Sequence, residues 1–231
     1  MKLNSSKRLS SGAGIFLSVL IFAATAFAGP PLICHAIHIG SAQSLPWSGE
    51  SWNLSGHETY DIKRLIPDTL ALLNPNMPVL VRMETLRRAT MYAQDDRDTA
   101  KQLVLRLQAR TNENPSDALA DFDFGYLVEC YRQLGIAAHY GMFKSSPGGI
   151  VSGVDGYAWV QKAIHLRGDD PQMEFAAALI TSEVSQQDRA EHLQKAVAGS
   201  KSDALLAENL ASQFGNGTVA QHLSTTVAKN N

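Results

Sequence analysis

The residues best suited to chemistry stand together near the start of the chain, where Cys34-His35-Ala36-Ile37-His38 offers one thiol and two imidazoles within a single short stretch. A thiolate and two imidazoles suit zinc or copper, and His57, His139 or Cys130 could supply a further donor. In an extended chain Cys34 and His35 point to opposite sides, so the cluster converges only if the backbone turns there. The alternative assignment makes Cys34 a buried apolar residue, or half of a disulfide with Cys130, and leaves the histidines as ordinary side chains. The spacing of recognised metal or haem motifs is absent, C-x-x-C-H included.

Other catalytic signatures fail. Gly149-Ile150-Val151-Ser152-Gly153 puts its serine one place too late for G-x-S-x-G, no H-E-x-x-H occurs, and no G-K-S/T follows the glycines to make a phosphate cradle. The acidic pairs Asp95-Asp96 and Asp169-Asp170 fall where helices should start, and capping accounts for them without catalysis. No catalytic residue is assigned, and the sequence points away from an enzyme. Trp47, Trp52 and Trp159 are read first as packing residues and only second as recognition aromatics.

These residues must be positioned by what surrounds them. Lys2, Lys7 and Arg8 precede an apolar run from Ile15 to Phe27, and Ala26-Phe27-Ala28 closes it, the pattern of a secretory leader over residues 1–28. The run is shorter than the roughly 20 residues a membrane-crossing helix needs, and no second such run follows. The expectation is export to a periplasm or the extracellular space, with no integral span after cleavage. The formal net charge is −2, more acidic once those three cations are removed, so nothing in the charge invites nucleic acid.

Residues 29–60 are rich in Gly, Pro, Ser and Trp without a sustained apolar period, which predicts an irregular, extended arm. Its tryptophans predict that it lies against a folded body over residues 61–231. From Asp61 the apolar residues recur every third or fourth position. Ile62, Leu65, Ile66, Leu70 and Leu73 predict a first helix that Pro67 would kink or split. Leu80, Met83, Leu86, Ala89 and Thr90 mark one face of a helix starting after Pro78, and Ala100, Leu103 and Leu107 mark its successor, capped by Asp95 or Asp96. Ser116 or Asp117 caps the next, with Phe124, Leu127, Val128 and Tyr131 in its core and Gly135 at its end. The glycine-rich stretch 136–155 then reads as an inserted loop, long enough to suggest a function.

Beyond it the pattern echoes itself. Gln161-Lys162-Ala163 and Gln194-Lys195-Ala196 lie 33 positions apart, a period typical of helix-turn-helix repeats. The unit from Tyr157 through Lys162-Ala163-Ile164 to Asp170-Pro171 resembles the second helix and linker of a tetratricopeptide repeat. Asn114-Pro115-Ser116-Asp117-Ala118, with Gly125-Tyr126, Tyr131 and Gly135, is similar to a first helix of one. The resemblance covers most of residues 78–229 in about four degenerate units, the tryptophan and leucine-glycine positions being mostly replaced. It implies an all-α fold of antiparallel helix hairpins stacked into a solenoid, with a concave face that binds a protein or peptide partner. Metal binding or redox chemistry at Cys34, His35 and His38 is the competing function.

Overall fold

The computed structural model describes residues 29–47, 59–143, 145–147 and 149–217. Residues 1–28, expected to be a leader, together with Trp52, His57 and the polar stretch after residue 217, lie outside them. The described residues are helical, with no strand among them. The elements are α1 (Pro31–Cys34), α2 (Leu65–Leu72), α3 (Val79–Tyr92), α4 (Arg97–Glu113), α5 (Ala118–His139), α6 (Gly156–Arg167), α7 (Pro171–Ile180), α8 (Gln186–Gly199) and α9 (Ala204–Phe214).

Each start from α4 onward is fixed by a side-chain cap. Asp96, Asp117, Asp155, Asp170, Ser185 and Asp203 each accept a hydrogen bond from a first-turn backbone N–H. Orphan donors at a helix start need such an acceptor, which explains why short acids recur at these junctions. Pro67 does not split the first helix: a 3₁₀ turn over Ile62–Arg64 precedes α2 and leaves Pro67 in the first turn, where its missing N–H costs nothing.

Two other expectations change. Gly135 does not end α5, which runs on to His139, so the loop begins four residues later than the glycine suggested. A β-carbon at Gly135 would meet only the Ser146 hydroxyl at 3.9 Å, so the glycine sits as an ordinary helical residue under the returning loop. That loop is pinned: Arg97 donates to the Pro147 carbonyl at 2.6 Å, and Ser145 donates to Asp95. The second change concerns α3. Its Leu80, Met83, Leu86, Ala89 and Thr90 are buried as expected, but so are Arg82, Glu84 and Arg87 on its other faces. The helix is enclosed on every side.

The core runs through the whole body. α5 packs against α3, α4 and most extensively α6, while α7 pairs with α8 and touches α6. Phe122 stacks on Tyr126, and Phe124 meets Trp159 edge-on at 5.2 Å.

The helix pairs share a polar arrangement. Lys162 of α6 reaches the fully buried Asp121 of α5 at 2.9 Å, and Lys195 of α8 reaches the fully buried Glu174 of α7 at the same distance. Arg110 of α4 lies 3.4 Å from buried Asp123 of α5, which also holds Arg82 of α3 at 2.6 Å. Glu174 further bonds His192, whose other ring nitrogen meets the Tyr157 hydroxyl at 2.7 Å. Burial, together with Asp188 and Glu174, pushes that phenol up to about 12, so it keeps its proton in this contact.

Candidate functional site

The N-terminal arm positions the residues that the sequence singled out. After the single turn of α1, the backbone extends at His35 and crosses the body in contact with α3, α5 and α7, then α9. Four apolar side chains anchor it: Leu32, Ile33, Ile37 and Leu45 are buried.

The polar backbone of the arm is satisfied by side chains of the body. Gln133 of α5 accepts from the Leu32 N–H at 2.8 Å. On α3, Glu84 accepts from the Ile37 N–H at 2.9 Å, Arg87 donates to the Ile33 carbonyl at 3.3 Å, and Arg88 donates to the Leu45 carbonyl at 2.7 Å. Tyr92 donates to the Pro46 carbonyl at 2.6 Å, and Ser44 shares a hydrogen bond with Thr85 at 2.8 Å. Asn209 of α9 accepts from the His38 N–H at 2.8 Å and donates to the His38 carbonyl at 2.9 Å, a clasp on both sides of one residue.

Glu84 is the centre of this array. Its carboxylate is fully buried and takes Arg87 through two nitrogens at 2.8 and 2.9 Å and Arg88 through one at 2.7 Å. Burial by itself would raise its pKa, but the two guanidiniums and the Ile37 N–H outweigh that and hold it below the usual carboxylate range. Arg87 lies 5.0 Å and Arg88 5.7 Å from the centre of the Trp47 ring, so the arm's tryptophan covers the ion cluster it helps to enclose.

Where the arm passes between α3 and α9 it leaves a cleft of about 450 Å³, lined by residues 34–40 of the arm with Trp47, Glu84, Arg88, Glu208 and Ser212. Cys34, His35 and His38 all lie on its wall. His38 faces Glu208 at 3.4 Å. Among the described residues, no three His, Cys, Asp or Glu side chains gather as a metal-holding group, and His139 stands apart, packed on Tyr140. Cys34 and Cys130 are not joined by a disulfide. Cys130 is fully buried in α5, where burial pushes its thiol well above the ordinary range.

Sequence reasoning missed Glu84, Arg87, Arg88, Gln133 and Asn209. For the three on α3 the only signal was Met83-Glu84-Thr85-Leu86-Arg87-Arg88, charged residues at positions that a one-sided apolar stripe leaves to solvent; Gln133 and Asn209 gave none. The clasp makes a modest prediction. Asn209→Ala should destabilise the protein by about 1–2 kcal/mol, the cost of two backbone groups left without their partner, and should speed hydrogen exchange at the His38 amide.

The fold and the site together define an all-α protein whose helices hold an extended segment of their own chain. No family model, curated protein or solved structure matches this chain. No helix among the described residues is long and apolar enough to cross a membrane.

Proposed function

We propose that this is an exported helical-repeat protein that binds an extended segment of a protein or peptide partner, in the cleft beside its own arm. The observation that carries the reading is the way the body holds residues 32–46, by side chains on α3, α5 and α9 that bond the arm's backbone while Leu32, Ile33, Ile37 and Leu45 are buried. This is the chemistry by which proteins recognise extended peptides in general: backbone hydrogen bonds give affinity, and pockets give specificity. In the proposed repeat, α5 with α6 and α7 with α8 are successive units, each tied by a lysine-to-acid bridge from its second helix to its first. The cleft presents Trp47, Arg88 and Glu208 to a second segment. A second reading, metal binding or redox chemistry, draws on the same wall through Cys34.

Screening displayed random peptides against the full chain tests the binding role. Ser212 is exposed and lines the cleft, so Ser212→Trp fills it without disturbing a buried group. Selected peptides should lose at least roughly tenfold in affinity, about 1.4 kcal/mol, on this substitution. Binders indifferent to it would remove the cleft from the reading, and failure to select any peptide would end it.

A further inference from the structure

We propose that Cys34, Met142 and the backbone nitrogen of Gly29 form a site for copper(I), completed when the leader is removed. The Sγ of Cys34 lies 3.9 Å from the Sδ of Met142, a contact between residues 108 positions apart. Met142 follows α5 in the turn at the head of the loop and is 42% exposed, a soft, flexible side chain held beside the half-buried thiol of the chain. Metal–sulfur bonds run about 2.3 Å, so two of them span 3.9 Å when they open at roughly 115°. That angle belongs to a trigonal ion and leaves room for a third donor.

The third donor is indicated by Gly29. Its φ is +75°, and a β-carbon there would lie 2.6 Å from the Cys34 sulfur and 3.4 Å from the Met142 sulfur. Only glycine lets the chain pass this close, and its backbone is therefore packed against both sulfurs. Gly29 is also the residue that follows Ala26-Phe27-Ala28, so cleavage there turns its amide nitrogen into an α-amine. Such an amine has a pKa of about 7.7–8.0 and supplies a lone pair near neutral pH, which an amide does not.

The donor types select the metal. A thiolate with a thioether is a soft set that favours copper(I), whereas zinc sites draw on several His, Cys or acidic ligands, which do not converge among the described residues. Binding breaks the S–H bond of Cys34 and forms a copper–sulfur bond, and below the amine's pKa it also breaks one N–H bond of the Gly29 ammonium to form a copper–nitrogen bond; one proton leaves from the thiol and a second from the ammonium, with no change of oxidation state. The site rests on leader removal and not on the peptide-binding reading, since Met142 and Gly29 are outside the cleft lining.

The test begins with the full chain expressed with its leader. The product is purified from the exported fraction, its N-terminus is read by mass spectrometry, and it is titrated anaerobically with copper(I) against a chromogenic chelator. The expected product starts at Gly29 and binds one copper(I), with two sulfurs per copper by X-ray absorption. Cys34→Ser should abolish binding, Met142→Leu, which keeps the volume, should weaken it at least tenfold, and Cys130→Ser should leave it unchanged. Acetylating the α-amine should weaken it by a similar factor. Export with a different N-terminus, binding that survives Cys34→Ser, or affinity indifferent to Met142→Leu or to acetylation each overturns the site. A loss of peptide binding with copper binding intact would speak only to the cleft.

Discussion

Glu84→Ala should destabilise the protein by roughly 3–5 kcal/mol, the cost of leaving a buried charge without its partner. Arg87 is fully buried and donates two hydrogen bonds to this carboxylate, so the truncation strands a guanidinium that cannot lose its proton. The Ile37 N–H loses its acceptor at the same time. Against a total stability of about 5–15 kcal/mol for a domain of ordinary size, that loss is about a fifth of the whole or more, and the midpoint of urea unfolding at pH 7 measures it. The arm should loosen before the body does. A thiol reagent should therefore reach Cys34 faster in the variant, while Cys130, sealed inside α5, keeps its slow rate. Equal stability of Glu84→Ala and the parent would show that the arm is held by its apolar anchors alone.

The same carboxylate sets a pH dependence. Its folded-state pKa lies below the ordinary value, so its contribution is complete above about pH 4.3, the unfolded value, and is lost as the pH falls through the folded one. Acidification should release the arm over that lower range. Glu84→Gln keeps the shape and an acceptor for Ile37 but carries no charge, and should flatten the acid limb while costing less than the alanine at neutral pH.

How far the sequence foretold this arrangement depends on the kind of signal. The helices of the body were legible because apolar residues recur at helical spacing and because Asp96, Asp117 and Asp170 stand where caps are needed. Trp47 and Trp52 gave reason to expect an arm lying on the body; Trp47 covers Arg87 and Arg88 there, and Trp52 lies outside the described residues. What fastens the arm was not legible. Glu84 and Arg87 fall on the side of α3 that periodicity assigns to water, and only a distant segment of chain laid across that side turns it into an interior. Asn209 clasps a backbone 171 positions away, and Met142 meets Cys34 across 108, pairings that no local pattern encodes. Alternation in an extended arm would send Cys34 and His35 to opposite sides; instead Cys34 closes the turn of α1 and all three residues, Cys34, His35 and His38, line one cleft.

Two glycines of α5 make the last point, because adding a side chain at each should act in opposite directions. At Gly125 the helix touches the start of α6 backbone to backbone. A β-carbon there would lie 2.6 Å from the Gly156 carbonyl oxygen and 2.9 Å from the Val160 nitrogen, and the reciprocal β-carbon at Gly156 would lie 2.6 Å from the Gly125 oxygen. Backbone atoms cannot swing aside as the end of a side chain can, so any larger residue must drive the two helices apart. Separation would loosen buried Val160 and Ala163 and part Phe124 from Trp159 and Asp121 from Lys162. Gly125→Val should cost about 3 kcal/mol, the upper part of the range for overpacking a well-filled core. At Gly135, ten residues further along the same helix, the nearest atom to a new β-carbon is 3.9 Å away and the backbone is helical. There Gly135→Ala should stabilise the protein by up to about 1 kcal/mol through helix propensity alone. Denaturant midpoints of the two variants decide the matter. If Gly125→Val is harmless, α5 and α6 do not approach this closely, and if Gly135→Ala destabilises, α5 does not continue past that residue.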